Sequence, residues 1–178
     1  MLTELARASR LPICASVPAV GANDNVRGAR DLAKIADRLI VAIPFIDDAV
    51  PAIRRLAADG IPVAATLVYS AAQGILAAHA GASMVTVSVD ALDSVGADGN
   101  AVIADLRAAF DFSAAECDVT AAGPSTAASF AAAAGVGADV AIVTPEVMRG
   151  LLQHPLTDRG LDRFLGAISR RPKGKRGK

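Results

Sequence analysis

Four carboxylates fall just after apolar, strand-like runs: Asp47 and Asp48 after "RLIVAIPF", Asp90 and Asp93 after "SMVTVSV". Acids in that place either gather into a negative mouth suited to hydroxyl-rich or cationic ligands, or cap the next helix and solvate its loop. Other chemistries lack their groups. The 178 residues hold four lysines, Lys34 in a helix-like stretch and three in the last ten residues, so none ends a strand. His79 and His154 have no histidine or cysteine partner at helical spacing, and no metal site is expected. A G-x-S-x-G elbow, a G-x-G-x-x-G turn and a P-loop are all absent, which leaves no signal for a serine triad, a nucleotide or any other cofactor.

The elements that must position these acids are legible. Hydrophobic residues make up 53% of the chain, aromatics only 3%, and there is no tryptophan, so the core is expected to be aliphatic. Six apolar runs recur: 11–17, 38–45, 61–68, 83–89, 117–122 and 139–144. Each is continuously apolar, as strands buried on both faces of a parallel sheet should be. Between them lie helical segments. After Phe45, Asp47 reads as an N-cap, Pro51 falls in the first turn, Val50, Ile53, Leu56 and Ala57 form a stripe, and Gly60 stops the helix. Ser70 and Gly81 bound the next one. Alternating strands and helices predict right-handed βα units in one α/β domain over 1–168, with an open sheet and a barrel both compatible. Two final helices are expected, about Pro145–Leu152 and a second capped by Thr157 and running to Ile168. The second carries Leu161, Phe164, Leu165 and Ile168 on one side, either to close the domain's own sheet or to lie on a neighbouring subunit.

Charge and cysteine usage narrow the setting. The last ten residues, "SRRPKGKRGK", carry six basic side chains, and the remainder has 12 basic against 18 acidic. That tail, 169–178, reads as a disordered, solvated terminus, and no basic, aromatic-studded face elsewhere supports nucleic-acid binding. No apolar run approaches the roughly 20 residues of a membrane span, and the start lacks a signal-peptide pattern, so a cytoplasmic protein is expected. Cys14 and Cys117 sit in or beside apolar runs and read as small buried thiols.

"IPVAATLVYSAAQGILAAHAGASMV" resembles the central strand, turn and helix of the transaldolase and small fructose 6-phosphate aldolase family. "TPEVMRGLLQHPLTDRGLDRFL" looks like that family's C-terminal signature, and the similarity runs from about Pro12 to Ile168. The resemblance implies an eight-stranded βα barrel assembled into rings of subunits, cutting or joining a sugar phosphate through a Schiff base on a barrel lysine. Here the V-K-I-P strand reads Val41, Ala42, Ile43, Pro44. An alanine methyl forms no iminium, so the electron sink for retro-aldol cleavage is missing. The family's phosphate arginine aligns with Ala91, and its A-S-[IF]-[RK] element falls on Gly123 and Pro124. Residue 12 aligns with the third family strand. The expected fold is therefore a TIM-barrel-derived repeat with about six of eight units, an incomplete or rearranged barrel.

The same alignment supplies the remaining site candidates. Thr66 stands where the family places a water-orienting threonine, and it joins Asp47 and Asp90 as the groups for any surviving acid–base chemistry. Ser16 and Ser88 replace larger polar side chains near the barrel mouth. Ser70 matches the family but serves equally as a helix cap, and Gln73 equally as packing. Gly123 and Ser125, with Thr126, could form a backbone nest for an anion or simply begin a helix. The leading expectation is a non-catalytic or regulatory homologue that binds a partner subunit or a sugar-like small molecule. The alternatives are a repurposed lyase, isomerase or transferase acting on a polyol, and one half of a two-chain transaldolase. Partners follow from bare strand edges: a homo-oligomer, or a chain that supplies the missing βα units.

Overall fold

The computed structural model describes residues 2–19 and 21–169. All but Ser169 of the basic tail expected over 169–178 lies outside them. Helix α1 (Leu2–Ala8) leads into β1 (Ile13–Ser16), α2 (Ala22–Ala33), β2 (Leu39–Pro44), α3 (Ala49–Ala58), β3 (Val63–Val68), α4 (Ala71–His79) and β4 (Met84–Ser88). There follow α5 (Val89–Ser94), α6 (Gly99–Ser113), β5 (Asp118–Ala122), α7 (Ala127–Gly135), β6 (Val140–Ile142), α8 (Pro145–Gly150) and α9 (Pro155–Ser169). The six strands lie in sequence order in one parallel sheet. They make a curled half-barrel of βα units, an α/β fold that stops short of closure. No helix of the described residues is long and apolar enough to cross a membrane.

The two-residue period of the strands divides the sheet into two faces. Val41, Ile43, Val63, Ala65, Val85, Val87, Val119 and Ala121 are completely buried under the helical layer. Their helical partners are Ala52, Ile53 and Leu56 of α3, Ala77 of α4, and Ile103, Leu106 and Phe110 of α6. Removing each such side chain from water is worth about 1.5–3 kcal/mol for Val, Leu, Ile or Phe, so this convex wall supplies most of the cohesion. The stripe expected on α3 is confirmed at Ile53 and Leu56, but Ala57 is exposed and Ala49 and Ala52 take its place. Gly60 and Gly81 end their helices with φ of +72° and +103°.

The expectation that every strand is buried on both faces fails at the edges. β1 and β6 alternate with exposed positions, because among the described residues nothing lies beyond them to cover Cys14, Ser16, Val140 or Ile142. Cys14 is accordingly exposed, not buried as its apolar run suggested, whereas Cys117 is buried. Two cap assignments also change. Asp47 lies in a turn ahead of α3, where the Ala49 amide donates to the Ile46 carbonyl (2.8 Å), and neither Asp47 nor the N-cap Asp48 makes a side-chain cap bond. Thr157 is inside α9, which begins at Pro155 behind a bond from the Leu156 amide to His154 Nδ1 (3.1 Å). Finally, α9 buries no residue and leaves Leu161, Phe164, Leu165 and Ile168 at least half exposed, so it does not close this chain's sheet.

Candidate functional site

The concave face is the natural place to look, since βα-barrel chemistry sits at the carboxyl ends of strands and inside their mouth. Cys14, Ile40, Met84, Thr120, Val140 and Ile142, joined by Leu11, Pro12 and Asp118, line an open groove of about 420 Å³ on this face, mostly toward the amino ends of the strands. The strand period and register then place Ala42 on the same face, directly between Ser16 of β1 and Ala64 of β3. Pro44 pairs with Thr66, Thr86 with Thr120, and Ser88 with Ala122. Ser16, Thr66 and Ser88 thus share the inner face near the strand ends.

At β3 the strand departs from regularity just where Thr66 stands. The register shifts between Ala65 and Val68, and Leu67 adopts φ of +58°, which side chains with a Cβ seldom do. Thr66 is half-buried, and its carbonyl accepts the Phe45 amide (2.8 Å), tying β3 to the turn that carries Asp47. Ser70 then caps α4, its Oγ accepting the Gln73 amide (3.3 Å), while Gln73 Oε1 accepts the Tyr69 amide (2.9 Å). Capping accounts for both polar side chains.

The two candidate acids occupy separate clefts. Asp47 lines one of about 290 Å³ with Phe45, Val50, Gln73 and Leu76, at the start of α3 and α4. Asp90 lines another of about 630 Å³ with Gly123, Ser125, Thr144 and Glu146, between the ends of β5 and β6. Asp90 Oδ1 accepts the Ala91 amide (2.9 Å), and Asp93 Oδ1 accepts that of Gly99 (3.3 Å).

Two of the three backbone donors of the nest considered at Gly123, Ser125 and Thr126 are already spent. The Gly123 amide donates to the Ile142 carbonyl (3.1 Å) and the Thr126 amide to Ser129 Oγ (3.0 Å), the latter within a capping box that starts α7. Gly123 has φ of +89°, and a Cβ there would collide with the Asp90 carboxyl group. A carboxylate therefore rests where an incoming anion would approach, and no Lys or Arg lines this cleft.

Lys34, the one lysine among the described residues, is far from this face. It caps the C-terminal end of α2 and pairs with Asp31 (2.8 Å) on the exposed helical side. That ammonium beside it lowers the Asp31 carboxyl below the usual range. Burial raises the Cys117 thiol to about 12, and partial desolvation by groove neighbours raises that of the more exposed Cys14, so neither is an activated nucleophile. Among the described residues no group of three or more His, Cys, Asp or Glu is placed to hold a metal.

Sequence reasoning missed the inner-facing Thr86 and Thr120. Thr120 is fully buried and its Oγ1 has no hydrogen-bond partner in the groove wall. The signal was present: "MVTVS" and "DVTAA" each set one threonine between two apolar neighbours, on the opposite face from them.

Comparison with known proteins agrees with this geometry. A solved structure described as "Native KDPGal structure" superposes with a TM-score of 0.58 at 20% identity, covering 80% of this chain and 62% of that one, a likeness of fold. The chain therefore spans less than two thirds of that structure. A probable transaldolase of Chelativorans sp. (strain BNC1) is 38% identical over 154 residues, 86% of this chain and 71% of the relative. One from Heliobacterium modesticaldum is 40% identical over 154 residues, covering 86% and 72%. A family model for transaldolase/fructose-6-phosphate aldolase matches residues 8–171, and with these relatives it shows that the chain belongs to the transaldolase/fructose-6-phosphate aldolase family.

Proposed function

We propose that this chain is a non-catalytic member of its family, which performs no Schiff-base aldol chemistry on its own and acts by binding, to a partner subunit and to an unphosphorylated, sugar-like ligand. The observation that carries the reading is Ala42. It lies on the inner face of the sheet between Ser16 and Ala64, at the position the family resemblance assigns to the lysine, and a methyl group offers no amine. Lys34 is held to Asp31 on the outer helical layer and cannot substitute.

The ligand class follows from charge. Asp90 and Glu146 line the cleft beside Gly123 without a basic side chain, and the backbone donors at Gly123 and Thr126 are engaged. A phosphate dianion would meet like charge and no basic side chain, whereas hydroxyl groups can bond to Ser125, Thr144 and the two carboxylates. Asp47 and Asp90 stand in two separate clefts, so these two acids do not act on one ligand as an acid–base pair.

Borohydride reduction in the presence of dihydroxyacetone or fructose 6-phosphate, read by intact mass, tests the first half. The unchanged chain is expected to show no stoichiometric adduct. A reduced adduct mapped to any lysine would sink the proposal, and Ala42→Lys provides the control for a trappable amine on the inner face.

A further inference from the structure

We infer that the cleft between α2 and α3, on the outer helical layer, binds a compact anion with two linked phosphate groups through Arg27, Arg30, Lys34 and Arg55. The site is separate from the inner-face clefts and opposite to them in charge.

Helical spacing builds it. Arg27, Arg30 and Lys34 recur at intervals of three and four residues and so share one face of α2 and its C-cap. From the first to the last of them the helix rises about 10 Å, more than one phosphate group spans. Arg55 faces them from α3, where its Nη1 donates to the neutral amide oxygen of Asn23 (2.8 Å). With the buried Val26 these four cations line a cleft of about 350 Å³, and Asp31 is the one acid in its lining.

The cations are held in place without being neutralised. Arg27 pairs with Asp24 (2.7 Å), Arg30 with Asp59 (2.8 Å) and Lys34 with Asp31 (2.8 Å). Among the described residues Arg55 has no carboxylate partner, which leaves four cations against three acids. Ion pairs at the surface hold weakly and are screened by salt, so an anion of higher charge displaces the carboxylates. Three of the four cations are arginines, whose guanidinium forks take phosphate oxygens two at a time. The cleft is also independent of the sheet's open edges, because α2 packs on β2 and α3 on β3, and each of those strands has a neighbour on both sides.

Isothermal titration of the full chain with inorganic pyrophosphate at low ionic strength is the test, with inorganic phosphate, citrate and ADP for comparison. One saturable site is expected, with phosphate and citrate bound about tenfold or more weakly. ADP bound as tightly as pyrophosphate assigns recognition to the diphosphate itself, and ADP bound about tenfold tighter makes the ligand a nucleotide. Arg55→Gln is expected to weaken pyrophosphate by about tenfold, and Asp31→Asn, which removes a competing carboxylate, to tighten it by about threefold. Arg27→Gln repeats the loss on an exposed helix face without touching the contact between α2 and α3. Arg159→Gln on α9, and a chain ending after Ser169 and so lacking the basic tail, should bind as the full chain does.

Four results would overturn the inference: no saturation by pyrophosphate below about 1 mM, unchanged affinity in folded Arg27→Gln and Arg55→Gln, citrate bound as tightly as pyrophosphate, or loss of binding on truncation after Ser169. The last would assign the anion to the tail.

Discussion

Asp90 and Gly123 behave as a pair, one carboxylate lying over the one residue without a side chain to obstruct it. With φ of +89° at Gly123, an alanine there incurs left-handed strain of about 1–2 kcal/mol and a collision with Asp90 besides. Gly123→Ala is therefore expected to lower stability in urea by about 2 kcal/mol or more. Adding Asp90→Ala should recover the collision and leave the strain; no recovery would mean that the two residues are not in contact. Ala42 was readable from sequence because its neighbours Val41, Ile43 and Pro44 fix the alignment. The Asp90–Gly123 contact was not, since it joins loops 33 positions apart that meet only through the pairing of β4 with β5.

Cys117 gives a second prediction at this scale. Burial first, and the neighbouring Asp118 charge next, push its thiol up to about 12. An unfolded thiol ionises near pH 8.5, so the folded state keeps its proton longer. The stabilisation is complete below about pH 8.5 and is lost as pH rises toward 12. Chemical denaturation from about pH 8 to pH 11 should therefore show a steeper decline for the wild-type chain than for Cys117→Ala. Parallel declines would mean that the thiol is solvated.

Among the elements, strands were easier to read than helix starts. The six apolar runs each became a strand, trimmed by a residue or more at most ends, because burial on the convex side demands Val, Ile and Ala in sequence. Caps depend on rotamers and turn geometry that residue type does not set. Ser70 and Thr126 bond to the amides three residues on, whereas Asp48 makes no such bond: its backbone is already helical and the residue three on, Pro51, has no N–H. Thr126→Ala is expected to cost about 1 kcal/mol and Asp48→Ala less than about 0.5 kcal/mol. Equal losses in thermal or urea melts would show that α3 uses its acid as α7 uses its threonine. The bulge at Ala65–Val68 was likewise illegible, since nothing in "VAATLV" marks Leu67 for a left-handed backbone.

Across the whole molecule cohesion falls steadily toward the C-terminus. β2 to β5 sit under helices whose inner residues are completely buried, while beyond Ala133 no described residue is buried. The sequence marked the apolar side of α9 but gave two destinations for it, and this chain's own sheet is not one of them. That difference can be weighed. Ending the chain after Gly150 removes an element that buries nothing, so the urea-derived stability should change by less than about 1 kcal/mol, whereas Ile103→Ala, at a fully buried position, should cost about 2–5 kcal/mol. A large loss on truncation would mean that α9 is packed in solution. Repeating the melts at several protein concentrations then locates it: a loss that grows with concentration places α9 on another molecule by mass action, and a constant one places it on its own chain.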